Sequence, residues 1–124
     1  MSLHNRARRP ALDLDVLLEL VGGDCVLFRE VAELGADDVV RLVAALDGAA
    51  TALQMVDLAH ELKGVLLNLT APAAAKWALA VEQAARSGDA CEARRELARG
   101  RATIEEVTAT LVSVAHHVHQ RAAS

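Results

Sequence analysis

His60, Lys63 and Gly64 lie close together on a predicted helix and could carry out phosphoryl chemistry. Histidine is a known nucleophile in covalent catalysis, and a neutral imidazole attacks through a ring nitrogen. Lys63 follows His60 at the i+3 spacing that brings helical side chains together, so its ammonium could neutralise charge on a phosphoryl group. Glycine in a helix interior is less favourable than alanine by about 1 kcal/mol, so Gly64 suggests that another molecule approaches closely there.

The helix that carries these residues is predicted to run from Thr51 to Leu69, with Thr51 as its N-cap. At about 100° per residue, two opposite faces emerge. The face predicted to contact the core contains Met55, Leu58, Leu62, Val65, Leu66 and Leu69. The face predicted to contact solvent contains Leu53, Val56, Asp57, His60, Lys63, Gly64 and Leu67. His60 is therefore expected to project away from the core and to be free to react.

Four residues of the solvent-facing side are predicted to bind a partner around His60: Leu53, Val56, Asp57 and Leu67. Three of them are apolar at positions where a monomer would favour polar side chains, and such exposed apolar patches mark interaction surfaces.

The other amphipathic segments predict four further helices: Leu12 to Leu20, Cys25 to Leu46, Ala73 to Arg86 and Ala90 to His119. Short connections between long helices favour antiparallel neighbours. The predicted fold is all-α, an up-down antiparallel four-helix bundle with a short additional N-terminal helix. Residues 1–11 are predicted to be a flexible tail, and residues 12–121 a single bundle domain.

Within the second helix, the residues predicted to be buried are Val26, Leu27, Val31, Leu34, Val39, Leu42 and Leu46. A kink or break is predicted at Gly35-Ala36-Asp37. In the fourth helix, Trp77, Val81 and Ala84 are predicted to point toward the core.

The composition excludes several classes of function. The 124 residues carry a net charge of -4 and only 2% aromatic residues, which argues against nucleic-acid binding. No stretch has the pattern of a signal peptide or the length of a membrane span, so the protein is expected in the cytoplasm. Cys25 and Cys91 lack the spacing of a redox or zinc site and are predicted to be reduced thiols in the core.

The motif Leu58-Ala59-His60-Glu61-Leu62-Lys63-Gly64, followed by Asn68-Leu69, resembles the signature of histidine-containing phosphotransfer (HPt) domains. The resemblance extends from Leu12 to the end of the fifth predicted helix. It includes Gly23-Asp24 and the acidic, alanine-rich run from Glu82 to Asp89. Two residues depart from the common pattern: Val65 replaces a small polar residue, and Thr70 replaces a glycine.

This resemblance implies a phosphorelay intermediate in two-component signalling. His60 would accept a phosphoryl group from an aspartyl phosphate on one receiver domain and pass it to another, while Lys63 stabilises charge and Gly64 provides clearance. The implied partners are response-regulator receiver domains and a sensor or hybrid histidine kinase. The resemblance implies no cofactor in this chain, a divalent metal on the receiver, and a monomer that binds neither membrane nor nucleic acid.

Three alternatives remain open. The chain could be a phosphorylation-independent adaptor that docks a receiver or kinase. It could also be the dimerisation and phosphoacceptor fragment of a histidine kinase, although in that motif Thr or Asn and then Pro usually follow, where this chain has Gly64-Val65. His116 and His119 could share a face and bind a metal, but histidines are also favoured as cations at a helix C-terminus.

Overall fold

The computed structural model describes residues 12–123, with side chains as far as His117. Within this range the backbone forms six α-helices and no strand. They are α1 (Leu14–Leu20), α2 (Cys25–Asp47), α3 (Ala52–Asn68), α4 (Pro72–Arg86), α5 (Ala90–Arg99) and α6 (Arg101–Ala123). The predicted all-α class is confirmed for these residues, and the predicted tail at residues 1–11 lies outside them.

Four of the helices begin at side-chain N-caps. Asp13, Asp24 and Asp89 accept hydrogen bonds from the first backbone N–H groups of α1, α2 and α5. Thr51 and Gln54 form a reciprocal capping box at the start of α3. Each cap contributes about 1 kcal/mol and fixes where its helix begins, as the sequence predicted for Thr51.

The helices pack around one apolar core. Helix α2 packs against α3 and α6, α3 packs against α4, and α4 packs against α5. The largest fully buried side chains are Leu12, Leu17, Val39, Leu42, Leu46, Met55, Leu62, Leu66, Val81, Val107 and Leu111. Fully buried alanines at positions 32, 59, 74, 78 and 93 let the helices approach closely. This arrangement holds α3 and α4 side by side, which is the pair that carries the candidate site.

The prediction of one continuous helix from Ala90 to His119 is wrong. The chain breaks between α5 and α6 at Gly100, because the half-buried Trp77 of α4 packs directly against the backbone there. A Cβ atom at Gly100 would lie 2.0 Å from Trp77 Cδ1. The Trp77 Nε1–H also donates a 2.6 Å hydrogen bond to the carbonyl oxygen of Glu96 in the last turn of α5.

The predicted interior face of α2 is wrong in part, and α2 is not interrupted. Val26, Leu27 and Leu34 are exposed, whereas the buried positions of this helix are Phe28, Ala32, Gly35, Ala36, Val39, Leu42, Val43 and Leu46. Gly35 serves close packing instead of a kink, since a Cβ there would lie 2.5 Å from Leu69 Cδ2. In this part of α2 the interior face is formed by the small residues at positions 32, 35 and 36, whereas Leu27 and Leu34 are exposed to solvent.

Thr70, one of the two departures from the HPt pattern, has a φ of 59° at the end of α3. This left-handed conformation is unfavourable by roughly 1–2 kcal/mol for a residue with a side chain, and a glycine would adopt it freely. The Thr70 hydroxyl lies 2.7 Å from the Asp13 carbonyl oxygen and 2.6 Å from the Leu69 carbonyl oxygen and can donate to either, and the Asp13 N–H donates to the Thr70 carbonyl oxygen at 2.9 Å. Thr70 thus connects the end of α3 to the start of α1 at the expense of backbone strain.

The two cysteines are not in the core. Cys25 and Cys91 are free thiols in the first turns of α2 and α5, and both are exposed. The prediction that they are core residues is therefore wrong, because the first turn of each helix extends beyond the packed interior.

Candidate functional site

His60 lies in the middle of α3 on its solvent-facing side. Its side chain is 66% exposed, while Ala59 and Leu62 on the other side of the helix are fully buried. The remaining predicted core contacts, Met55, Leu66 and Leu69, are buried, and Leu58 and Val65 are partly buried against the core. The amphipathic pattern therefore predicted the orientation of His60 correctly.

The imidazole contacts a carboxylate that the sequence reasoning had not assigned to the site. Glu82 of α4 places Oε2 3.2 Å from Nδ1 of His60. Glu82 is only 4% exposed and is the one buried charged residue among those with described side chains. A carboxylate in such a position must be compensated by cations or donors, because burial strongly disfavours an isolated charge.

Two cations provide that compensation. Lys63 of α3 places Nζ 3.3 Å from Glu82 Oε1, and Arg86 of α4 donates a hydrogen bond to Glu82 Oε2. The lysine contact is an ion pair without the alignment of a hydrogen bond, so Oε1 has no directed donor among the described residues. Glu82 therefore lies at the centre of a cluster that joins His60, Lys63 and Arg86 across the α3–α4 interface.

This cluster determines the charge of Glu82. Burial raises the pKa of the Glu82 carboxyl, but the contacts with Arg86, Lys63 and His60 outweigh burial and hold the pKa below its ordinary value of 4.5. Glu82 is thus a carboxylate at neutral pH. An ionised carboxylate only accepts hydrogen bonds, so the hydrogen of the contact lies on Nδ1 of His60. In the neutral imidazole, the free lone pair is then on Nε2.

The sequence did contain a signal for Glu82. It shares the interior face of α4 with Ala75, Ala78 and Ala85, at spacings of seven, four and three residues. A charged residue on an otherwise apolar helix face needs a partner, and Arg86 at i+4 is one candidate visible in the sequence. The other partners come from α3, a contact that depends on how two helices pack.

Gly64 faces open space. A Cβ atom at this position would have no neighbour within 4 Å, in contrast to the packing glycines Gly35 and Gly100. No packing contact therefore accounts for a glycine here. The result is a gap in the surface of α3, one turn beyond His60 on the same face.

The predicted partner-binding residues differ in their surroundings. Leu53 is 75% exposed and Leu67 is 55% exposed, and Asp57 is also exposed. Val56, in contrast, is partly buried and packs against the core. Large apolar side chains thus lie on both sides of His60 along α3, with Val56 belonging more to the interior than predicted.

Glu61, the neighbour of His60, contacts α2. Its Oε2 lies 3.3 Å from Arg41 Nη2, and Arg41 also pairs with Asp38. These side chains are all about half exposed, so the pair contributes little to stability. Glu61 therefore belongs to the α2–α3 surface, and the carboxylate that contacts the imidazole is Glu82.

The histidines near the C-terminus lie elsewhere. His116 lines a surface cavity of about 450 Å³ between α2 and α6, together with Glu33 and Asp37, while His119 falls outside the described side chains. Among residues with described side chains, no group of three or more potential ligands could hold a metal ion. Nor does any helix of the described range combine the length and apolarity of a membrane span.

No protein-family model matches the chain, and comparisons with curated proteins and with solved structures gave no significant match. A function for this chain is therefore inferred from the geometry and chemistry of the residues around His60.

Replacing Glu82 by glutamine is expected to lower the free energy of unfolding at neutral pH by about 1–3 kcal/mol, since Lys63 and Arg86 lose their counter-charge. The folded-state pKa lies below the unfolded value, so this contribution is present above pH 4.5 and disappears as pH falls through the folded-state pKa. Urea unfolding should show a wide gap between wild type and E82Q at pH 7 that narrows toward pH 3.

The exposed Glu30 provides the matched control, since E30Q removes a carboxylate that is outside the cluster. A gap between wild type and E82Q of equal size at both pH values would contradict the charge assigned to Glu82.

Proposed function

We propose that this protein is a histidine-containing phosphotransfer protein of a two-component phosphorelay. The observation that carries the proposal is the contact between Glu82 and Nδ1 of an exposed His60, which leaves Nε2 as the nucleophilic atom facing solvent. The HPt-like motif from Leu58 to Leu69 supports the same role.

The chemistry requires no proton transfer by the protein. The lone pair of Nε2 attacks the phosphorus of an aspartyl phosphate on a receiver, and the bond from phosphorus to the carboxylate oxygen breaks with its electron pair remaining on the carboxylate. The imidazole keeps its hydrogen on Nδ1, where Glu82 accepts it. In the onward step, the Nε2–phosphorus bond breaks and a receiver aspartate takes the phosphoryl group.

The protein's contribution is positioning and charge balance, as is general for phosphoryl transfer. Glu82 fixes the orientation of the imidazole, and Lys63 provides a cation one turn from it. The divalent metal of the reaction would be supplied by the receiver. His60 therefore acts as a phosphoryl carrier, and the protein is not an autonomous kinase.

The proposal extends to the bundle and to the partners. We assign α2, α3, α4 and the broken pair α5–α6 to the four positions of an up-down antiparallel bundle, with α1 as the additional helix; the packing of α2 on α3 and α6, and of α4 on α3 and α5, supports this. The partners are receiver domains and a sensor or hybrid histidine kinase in the cytoplasm, and the protein acts as a monomer. Leu53, Asp57 and Leu67 supply the docking surface, with Val56 at its base.

The test is transfer from phosphorylated receiver domains of the same genome to this chain. The expected product is a phosphate that is stable in base and labile in acid, as a phosphoramidate bond is. Binding of a receiver without transfer would favour a phosphorylation-independent adaptor. Label acquired from ATP by the chain alone would favour a histidine-kinase fragment.

Replacing Gly64 by alanine is expected to stabilise the fold by about 0.5–1 kcal/mol, since the methyl group meets no atom and alanine is the better helix former. The same variant is expected to slow transfer from a receiver by roughly tenfold, equivalent to about 1.4 kcal/mol, because the methyl group fills the gap that a docked receiver needs. Thermal unfolding and rapid-quench transfer measure the two effects.

The control is phosphorylation of Gly64→Ala by phosphoramidate, a small donor that does not need the gap and should react at the wild-type rate. A Gly64→Ala protein that accepts phosphate from receivers as fast as wild type would remove the clearance role from Gly64.

A further inference from the structure

We infer that Arg86 is a second cation of the phosphoryl site and bridges Glu82 and the phosphoryl group once His60 is phosphorylated. The inference deepens the proposed function, since it concerns the phosphorylated form of His60. It begins with a shared atom: Nδ1 of His60 and the guanidinium of Arg86 both contact Oε2 of Glu82. The guanidinium is therefore separated from the imidazole by a single oxygen.

Exposure distinguishes Arg86 from Lys63. The Arg86 side chain is 62% exposed, whereas Lys63 is 25% exposed and sits lower in the α3–α4 interface. A guanidinium also has five N–H donors in a planar fork, so it can keep a hydrogen bond to Glu82 and still donate to phosphoryl oxygens. An ammonium is a point charge without that geometry. Arg86 is thus the cation that is both exposed enough and rich enough in donors to serve two anions.

The charge of the cluster leads to the same assignment. With a neutral imidazole, Glu82, Lys63 and Arg86 together carry one excess positive charge. A dianionic phosphoryl group on an imidazole that keeps its Nδ1 hydrogen adds one negative charge, which makes the phosphorylated cluster neutral. Without Arg86, the phosphorylated cluster would retain one uncompensated negative charge, which Lys63 alone could not balance.

The site can be loaded without any receiver. In phosphoramidate, the Nε2 lone pair of His60 attacks phosphorus, the bond from phosphorus to nitrogen breaks, and ammonia leaves with the electron pair. The Nδ1 hydrogen stays in place, so the product is the same phosphohistidine. This route tests Arg86 whether or not a receiver serves as the donor.

The experiment follows the ³¹P resonance of phosphoramidate-treated protein as a function of pH. A cation near a phosphoryl group favours its dianion, so Arg86→Ala is expected to raise the titration midpoint by about 0.5–1 pH unit, with Arg86→Lys intermediate. In wild type, phosphorylation should also shift the Arg86 Nε–H resonance and slow its exchange with solvent. The matched control is Arg29→Ala, which removes an arginine paired with Glu33 on α2.

Three results would overturn the inference: an Arg86→Ala midpoint equal to that of wild type, an Arg86 Nε–H resonance unaffected by phosphorylation, or no phosphorylation of His60 by phosphoramidate. Coinciding circular dichroism spectra of phosphate-free wild type, R86A and R29A at the temperature of the titration would exclude loss of the fold as the cause of a shift. If phosphoramidate phosphorylates His60 and no receiver does, the proposed relay function fails. The assignment of Arg86 is then still decided by the ³¹P titration.

Discussion

A His60→Gln protein is expected to fold normally and to accept no phosphoryl group from any receiver. The side chain of His60 is two-thirds exposed and its one hydrogen bond to the described residues is with Glu82, so the fold depends little on it. Glutamine retains an N–H donor that can reach the carboxylate. It has no nucleophilic ring nitrogen, so the expected loss of acid-labile phosphate is complete.

The matched control for this variant is His116→Gln. His116 is also an exposed helical histidine, but it lies between α2 and α6 and is not part of the Glu82 cluster. The His116→Gln protein is expected to accept phosphate on His60 at the wild-type rate. Acid-labile phosphate on the His60→Gln protein would place the acceptor at another residue and would contradict the site described above.

The largest expected effect on stability comes from replacing Gly100 by alanine. The added methyl group would overlap the indole ring of Trp77, which is rigid and held between α4 and the α5–α6 junction. Relief requires the ring to move and to lose its hydrogen bond to the Glu96 carbonyl oxygen. Overpacking and the lost bond together predict a decrease in the free energy of unfolding of about 2–4 kcal/mol.

Trp77 also reports this change, because it is the single tryptophan of the chain. Urea unfolding should show the decrease, and the native fluorescence of Gly100→Ala should shift to longer wavelength as the indole becomes solvated. Gly64→Ala, the same substitution at a glycine with no neighbours, is expected to change stability in the opposite direction. Equal stability of Gly100→Ala and wild type would contradict the close packing of Trp77 against the backbone of Gly100.

Local signals in the sequence were sufficient for α3 and for the orientation of His60. The capping box of Thr51 and Gln54 fixes where α3 begins, and the apolar period places Ala59 and Leu62 opposite the imidazole. Both signals act within a few residues of the chain. The exposure of His60 follows from them without reference to any other helix.

Features that depend on contact between helices could not be predicted in the same way. The break at Gly100 is caused by Trp77, and the buried position of Gly35 by Leu69 at the far end of α3. The convergence of Glu82 on His60 likewise needs the packing of α4 on α3. In each case the decisive neighbour lies more than twenty residues away in the sequence, beyond the reach of helical periodicity.

Thr70 stands where the HPt pattern has a glycine, and its backbone conformation and hydroxyl contacts show what the threonine changes. A glycine would satisfy the φ of 59° without strain, but it would lose the hydroxyl that lies within hydrogen-bond distance of the Asp13 and Leu69 carbonyl oxygens. The strain of the left-handed conformation, roughly 1–2 kcal/mol, and the gained hydrogen bond, roughly 1 kcal/mol, are of similar size. A threonine here therefore changes how the end of α3 is held and leaves the position of His60 unchanged.

The central claim is that Nε2 of His60 receives a phosphoryl group from a receiver. It is tested most directly by mixing the wild-type chain with phosphorylated receivers of the same genome and assigning the product by mass and by two-dimensional NMR of the imidazole. The expected result is one acid-labile phosphate per chain, bonded to Nε2 of His60, formed with at least one receiver and returned to it or to another. No transfer from any of the receivers, or a phosphate on another residue, would contradict the claim.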